Sequence, residues 1–234
     1  MNREETLVAN FQNVRQALLS ACQRSGRDPK EITLLAVTKY AKDQDVLTLL
    51  QKGLIVHVGE SRVQQAQARW EKPEFARFHT VKHFIGHLQK NKAAKAAELF
   101  DFIDSLDNFD TALALEKHVP QGKTLRALVQ VKLTDKETQS GLPLEEARQL
   151  ARRLKTLQRV RVCGYMAIAP QGADETRLRQ LFRPLKQAFD EDFKSLPEKY
   201  LSLGMSADFE TAVEEGSSLP RIGSKLFAEN LEGL

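Results

Sequence analysis

Ile32-Thr33-Leu34-Leu35-Ala36-Val37-Thr38-Lys39 is an apolar, partly β-branched run that stops on a lysine, and a polar, amphipathic stretch, 43–52, begins shortly after it. Such a run reads as a buried strand, and the stretch behind it as a helix. The same couple recurs along the chain. Further apolar runs lie at 54–60, 77–86, 100–106, 125–133, 160–168, 200–205 and 219–227, separated by amphipathic stretches at 61–70, 87–99, 108–118, 144–157, 174–196 and 206–215. Strands that alternate with helices predict a parallel sheet. Eight such units, evenly spaced, predict an α/β fold of the TIM (β/α)8 barrel type rather than a doubly wound open sheet. Upstream, Leu7, Phe11, Val14, Leu18 and Cys22 recur at three- and four-residue spacing, which predicts an extra N-terminal helix ended by Gly26 and Pro29. No Gly/Pro/Ser linker or composition break interrupts the pattern, so residues 1–234 read as a single barrel domain.

Composition narrows the function classes. With 41% hydrophobic and 28% charged residues, the chain has the make-up of a globular protein and excludes a disordered or collagen-like one. Lys and Arg total 35 against 31 Asp and Glu, and the signs are mixed along the chain, which argues against a nucleic-acid partner. Two cysteines, Cys22 and Cys163, cannot make a disulfide framework and point to a reducing compartment. Both lie in apolar patterns and read as core. No run approaches the roughly 18 apolar residues of a membrane helix, and no signal-peptide core follows Met1. The expectation is therefore a cytoplasmic protein with no membrane partner.

In a barrel the chemistry sits where the strands end at their C-terminal side. Lys39 stands there on strand one. A partly desolvated amine is a candidate Schiff-base nucleophile, and a lysine that reaches out to solvent is the plainer alternative. Strand seven runs into Ser202-Leu203-Gly204-Met205-Ser206, and strand eight carries Arg221-Ile222-Gly223-Ser224. Small residues in those two loops suit a phosphate cradle made of hydroxyl and backbone N–H groups, and two tight turns fit the spacing equally well. Asp208 and Glu210 follow closely and would repel phosphate if they faced it. His83 and His87 are four apart, but Gly86 lies between them and no third ligand is near, so no metal site is expected. Lys90, Lys92 and Lys95 read as a solvated helix face. Neither a dinucleotide glycine motif nor a Walker loop occurs.

Taken together, four segments resemble the pyridoxal phosphate homeostasis protein family over nearly the full chain. They are Arg24-Ser25-Gly26-Arg27-Asp28-Pro29 leading into the Lys39 run, His83-Phe84-Ile85-Gly86-His87-Leu88-Gln89-Lys90-Asn91-Lys92, Ser202-Leu203-Gly204-Met205-Ser206-Ala207-Asp208, and Arg221-Ile222-Gly223. The resemblance implies a barrel similar to the N-terminal domain of alanine racemase, with Lys39 forming an internal aldimine with pyridoxal 5′-phosphate (PLP). It implies that Ser206, Gly223 and Ser224 hold the phosphate, with the Met205 backbone contributing, and that Arg221 faces the pyridine nitrogen. It further implies a protein that binds, buffers and delivers the cofactor, affecting amino-acid and keto-acid balance, with no catalytic residue of its own. PLP-dependent apoenzymes are then the candidate protein partners. The chain departs from the family pattern at Ser61, Lys82 and Ala228. A PLP-dependent racemase and a cofactor-free Schiff-base aldolase are the competing readings. Against the racemase, only seven residues follow Phe227, so a second domain carrying an opposing base is not expected, and neither Tyr40 nor Tyr165 is clearly placed to replace it. No exposed apolar stripe is evident, which predicts a monomer.

Overall fold

From the first to the seventh, each strand pairs in parallel with the next in sequence, and the first also pairs with the eighth. The computed structural model describes residues 2–134 and 140–229. The strands are β1 (Leu35–Val37), β2 (His57–Glu60), β3 (Val81–Phe84), β4 (Phe102–Leu106), β5 (Leu125–Lys132), β6 (Val160–Ile168), β7 (Tyr200–Ser202) and β8 (Arg221–Ile222). They form one sheet in the order β7-β6-β5-β4-β3-β2-β1-β8. The two ends of that ladder meet. Ser218 N–H donates to Leu201 O at 2.9 Å, Arg221 N–H donates to Gly204 O at 2.9 Å, and the Ser218 hydroxyl accepts from Leu201 N at 3.0 Å. These bonds complete the eight-stranded TIM barrel.

The helices are α1 (Arg3–Ser25), α2 (Asp43–Gln51), α3 (Val63–Trp70), α4 (Pro73–Ala76), α5 (Ala93–Leu99), α6 (Phe109–His118), α7 (Leu144–Leu154), α8 (Glu175–Asp192), α9 (Phe209–Glu214) and α10 (Ser224–Phe227). Side chains alternate across the strands, as period-two geometry requires. One large apolar cluster, including Ala36, Val58, Ile103, Val129 and Tyr165, fills the space between strands and helices. A smaller one, Leu35, Phe102, Leu128, Cys163, Met166 and Leu219, fills the barrel interior. Both cysteines are buried and free, and burial pushes their thiols up, so they pack as small hydrophobes.

Two features differ from the sequence pattern. The run 219–227 is not one strand: only Arg221–Ile222 is extended, and Ser224–Phe227 turns into α10. An apolar run does not distinguish strand from helix, and Gly223 is where the backbone changes direction. The four-residue α4 also forms in the connection, 71–76, that reads as loop before strand three. The expected N-terminal helix forms with a capping box, Asn2 and Glu5 bonding reciprocally, and ends on Gly26 at φ 67°. Its role is tertiary. Arg3 donates to the carbonyls of Phe227 and Ala228 at 2.9 and 2.8 Å, and Asn10 donates to those of Leu226 and Ala228 at 3.2 and 3.1 Å. The carbonyl end of α10, left without helical partners, is thereby held by α1.

Candidate functional site at the C-terminal rim of the barrel

The pairing of β1 with β8 builds the site. Leu35 lies opposite Arg221 and Ala36 opposite Ile222. The next residues along the two strands, Val37 and Gly223, come close enough that a Cβ added to Gly223 would stand 3.2 Å from Val37 Cβ and Val37 O. Lys39 leaves the rim two residues beyond this contact. Its side chain is half-buried, with Nζ 5.1 Å from the centroid of the exposed Tyr40 ring.

The strand-seven loop faces the same contact. Gly204 has φ 86°, and a Cβ there would meet Ala212 Cβ at 2.6 Å and Phe209 Cα at 2.7 Å, so only glycine lets β7 turn this tightly into α9. The turn sets Ser206 against the start of α10, where its Oγ accepts from Gly223 N–H at 3.3 Å and Lys225 N–H at 3.4 Å. Hydroxyl and backbone donors from two different loops converge on one point, which is the arrangement that binds an anion. Ser224 lies between the two donor residues, at the first position of α10.

Met205 and the acidic pair behave differently. Asp208 Oδ1 accepts from Met205 N–H at 2.6 Å, so that backbone donor is engaged within its own turn. Glu210 turns away to pair with Arg24 at 2.9 Å. A surface concavity of about 550 Å³ lies beside it, walled by Arg24, Glu175, Arg179 and Glu214. The arginines and glutamates of its wall are already paired with one another.

Arg221 is the buried cation of the rim, 3% exposed. Its Nη1 donates to Ser202 O at 2.8 Å and Ser202 Oγ at 2.7 Å, and its Nη2 donates to Ala167 O at 2.8 Å. The guanidinium thus ties β8 to β7 and β6. Burial pushes its pKa down to about 10, against the pull of Asp104 and Asp208, which leaves it cationic at neutral pH.

The two histidines do not converge. The His87 side chain is 60% exposed, with Nδ1 3.7 Å from Asp107. His83 is fully buried in the barrel, donating from Nδ1 to the Asp104 carboxylate at 3.0 and 3.1 Å. Its Nε2 is hydrogen-bonded at 3.0 Å to Nδ1 of His57, and its ring stacks on Phe102 with centroids 4.1 Å apart. Nothing in the sequence pattern points to this chain, because His57, His83 and Asp104 are far apart in sequence and meet only across neighbouring strands. Of the positions that depart from the family pattern, Ser61 presses its backbone on Gly86, where a Cβ would lie 2.2 Å from Ser61 O. Lys82 N–H donates to Asp101 at 2.8 Å, and Ala228 offers the carbonyl held by α1. Lys95 pairs with Glu71 and Glu98.

Residues 7–230 match the family described as alanine racemase, N-terminal domain. The chain is 34% identical over 228 residues to the pyridoxal phosphate homeostasis protein of Escherichia coli K12, covering 94% of this chain and 95% of that one. It is 31% identical over 222 residues to the protein of the same name from Haemophilus influenzae, covering 93% of each. Among solved structures, PipY of Synechococcus elongatus, determined with PLP bound, superposes with a TM-score of 0.77 at 32% identity, covering 92% of this chain and 99% of that one. An alanine racemase from Clostridium difficile shares the fold at a TM-score of 0.74 and 12% identity; all of this chain is covered and 58% of that one. By sequence over almost its whole length, the chain belongs to the alanine racemase N-terminal domain family and, within it, to the pyridoxal phosphate homeostasis proteins.

Proposed function

We propose that this protein binds PLP at the rim and takes part in PLP homeostasis, holding the cofactor through Lys39 and passing it to apoenzymes, without efficient turnover of amino acids. The observation that carries this reading is the β1–β8 contact at Val37 and Gly223: Lys39 follows it two residues on along one chain segment, and on the other the N–H groups of Gly223 and Lys225 meet the Ser206 hydroxyl. The residues fit the group: the close approach at Gly223 leaves no room for a side chain, and the donor set is hydroxyl and N–H. PLP, when bound, supplies an aldehyde that joins to an amine and a phosphate that needs donors.

Each residue then has a role. Lys39 provides the amine. Ser206, Ser224 and the backbone of Gly223 receive the phosphate, and the Met205 backbone joins them only by releasing Asp208. Arg221, fixed by Ser202 and Ala167, faces the pyridine nitrogen. A guanidinium donates and cannot accept, so the nitrogen it faces stays unprotonated and the ring is a weaker electron sink. Racemisation also needs a group on each side of the reacting carbon. The Tyr165 hydroxyl donates to Asp192 at 2.7 Å, among the helices outside the barrel, and Tyr40 is largely exposed. Neither supports a second base. We read residues 1–234 as one cofactor-holding unit that acts as a cytoplasmic monomer. Among the described residues no helix is long and apolar enough to cross a membrane.

Adding PLP to the purified protein and reducing with borohydride tests the reading. The expected result is a yellow protein whose reduced adduct maps to Lys39, is lost in Lys39→Ala, and turns over L-amino acids well below roughly 1 s⁻¹. An adduct at another residue overturns the assignment of Lys39, and faster turnover that depends on Lys39 overturns the non-catalytic part.

A further inference from the structure

Residues 38–41 form a turn closed by Ala41 N–H donating to Thr38 O at 2.9 Å, with Lys39 and Tyr40 at its two central positions. One side chain grips both ends of this turn. Arg69, near the end of α3, donates from Nη1 to Thr38 O at 2.7 Å and from Nη2 to Ala41 O at 2.6 Å. The same guanidinium is itself fixed. Nη1 also donates to Glu60 Oε1 at 2.7 Å, and Nε donates to Asp43 Oδ1 at 2.7 Å. Glu60, 1% exposed at the end of β2, accepts a further bond from the Thr38 hydroxyl at 2.8 Å. Thr38 N–H donates to Gly59 O at 3.0 Å. The backbone on either side of Lys39 is therefore held by β2, α2 and α3 at once, and the Arg69 side chain is only 12% exposed.

A lysine has four rotatable side-chain bonds, so the direction of its Cα–Cβ bond is what the fold can fix, and the turn fixes it. A planar fork with donors in set directions suits two carbonyls and two carboxylates; an ammonium cannot reproduce it. We propose that Arg69 is a positioning residue for Lys39: by clamping both carbonyls of the turn, with Glu60 as its anchor, it aims the amine at the site above Ser206 and Gly223. This rests on the reading of Lys39 as the cofactor-linking residue. The step it serves joins Nζ to the aldehyde carbon of PLP and releases the aldehyde oxygen with the two amine hydrogens as water.

The experiment compares Arg69→Met and Arg69→Lys with the unchanged protein. Two ligands separate aim from anchoring: PLP, which links to the amine, and pyridoxine 5′-phosphate, which has the phosphate and no aldehyde. Arg69→Met is expected to slow borohydride-trappable linkage at Lys39 at least tenfold while changing pyridoxine 5′-phosphate affinity less than threefold. In the ligand-free protein, hydrogen exchange at the Ala41 amide should rise at least tenfold, with β5 and β6 amides unchanged. Arg69→Lys, which keeps the charge without the fork, is expected between the two, and it decides the matter if Arg69→Met does not fold. Linkage at the unchanged rate in the variants, or equal loss for both ligands, overturns the role of Arg69. Absence of any Lys39 adduct in the unchanged protein overturns the cofactor reading itself, and the inference with it.

Discussion

At the N-terminal end of the barrel interior, Phe102 stacks on His83, Tyr200 meets Phe102 edge-on at 5.4 Å, and His57, His83 and Asp104 are bonded in series. At the C-terminal end, Lys39 is half-buried, Ser206 collects backbone donors, and Arg221 presents a cation fixed from behind by Ser202 and Ala167. The first arrangement satisfies buried polar groups with one another, as low-dielectric surroundings require. The second holds its donors in converging positions with polar atoms of modest charge, which an anion can outcompete. One barrel thus has an end whose polar groups satisfy one another and an end that carries the proposed site, and this division can be tested by whether each end responds to changes in the other.

The largest effect is expected at the closed end. Phe102→Ala should destabilise the protein by about 3–5 kcal/mol, because a fully buried ring is lost from a packed layer. Its PLP affinity, measured on the folded protein, should change less than threefold. A matched loss of affinity in calorimetric titration would mean that the two ends are coupled.

At the open end, replacing Ser206 and Ser224 together by Ala should weaken PLP binding by about 3 kcal/mol, from hydrogen bonds to a charged group worth roughly 1.5–3 kcal/mol each. Binding of pyridoxal, which lacks the phosphate, should be nearly indifferent to the change. If pyridoxal loses as much, the two serines support the loops and not the anion.

The smallest effect sharpens the comparison through pH. Burial, and then the neighbouring His83, lowers the pKa of His57 from 6.5 to about 4. The unfolded chain therefore takes a proton near pH 6.5 that the folded one refuses until about pH 4. The associated stability is complete above pH 6.5 and lost as the pH falls towards 4. After allowance for the solvent that reaches the half-buried ring, it amounts to on the order of 2 kcal/mol. Urea unfolding at pH 7, 5.5 and 4.5 should show a shallower acid loss for His57→Asn than for the unchanged protein. Parallel curves would show that the histidine chain is not what makes the closed end acid-sensitive.

Much of the rim was legible in the sequence because strand ends are marked by short-range signals. Lys39 closes an apolar run, and Gly204, Ser206, Gly223 and Ser224 are small residues at the two loops where a barrel gathers phosphate. The eight-fold alternation needed only local periodicity, and the N-terminal helix only its three- and four-residue spacing. The run 219–227 misled because Leu226 and Phe227 are apolar in a strand or a helix alike.

What the chain by itself determined is the order of its elements and the kinds of chemistry at their ends, since propensity, periodicity and turn residues act over a few neighbours. What only the tertiary structure decided is which distant groups meet. Arg69 reaches the Lys39 turn from the far end of α3, 28 residues beyond Ala41. Asp104 accepts from His83 across a strand pair, and Asp208 takes the Met205 N–H. An arginine on an amphipathic helix carries no mark of whether it will face water or two carbonyls. That depends on β-sheet register and helix docking, which are set by the burial of apolar surface over the whole barrel rather than by any residue's own neighbours.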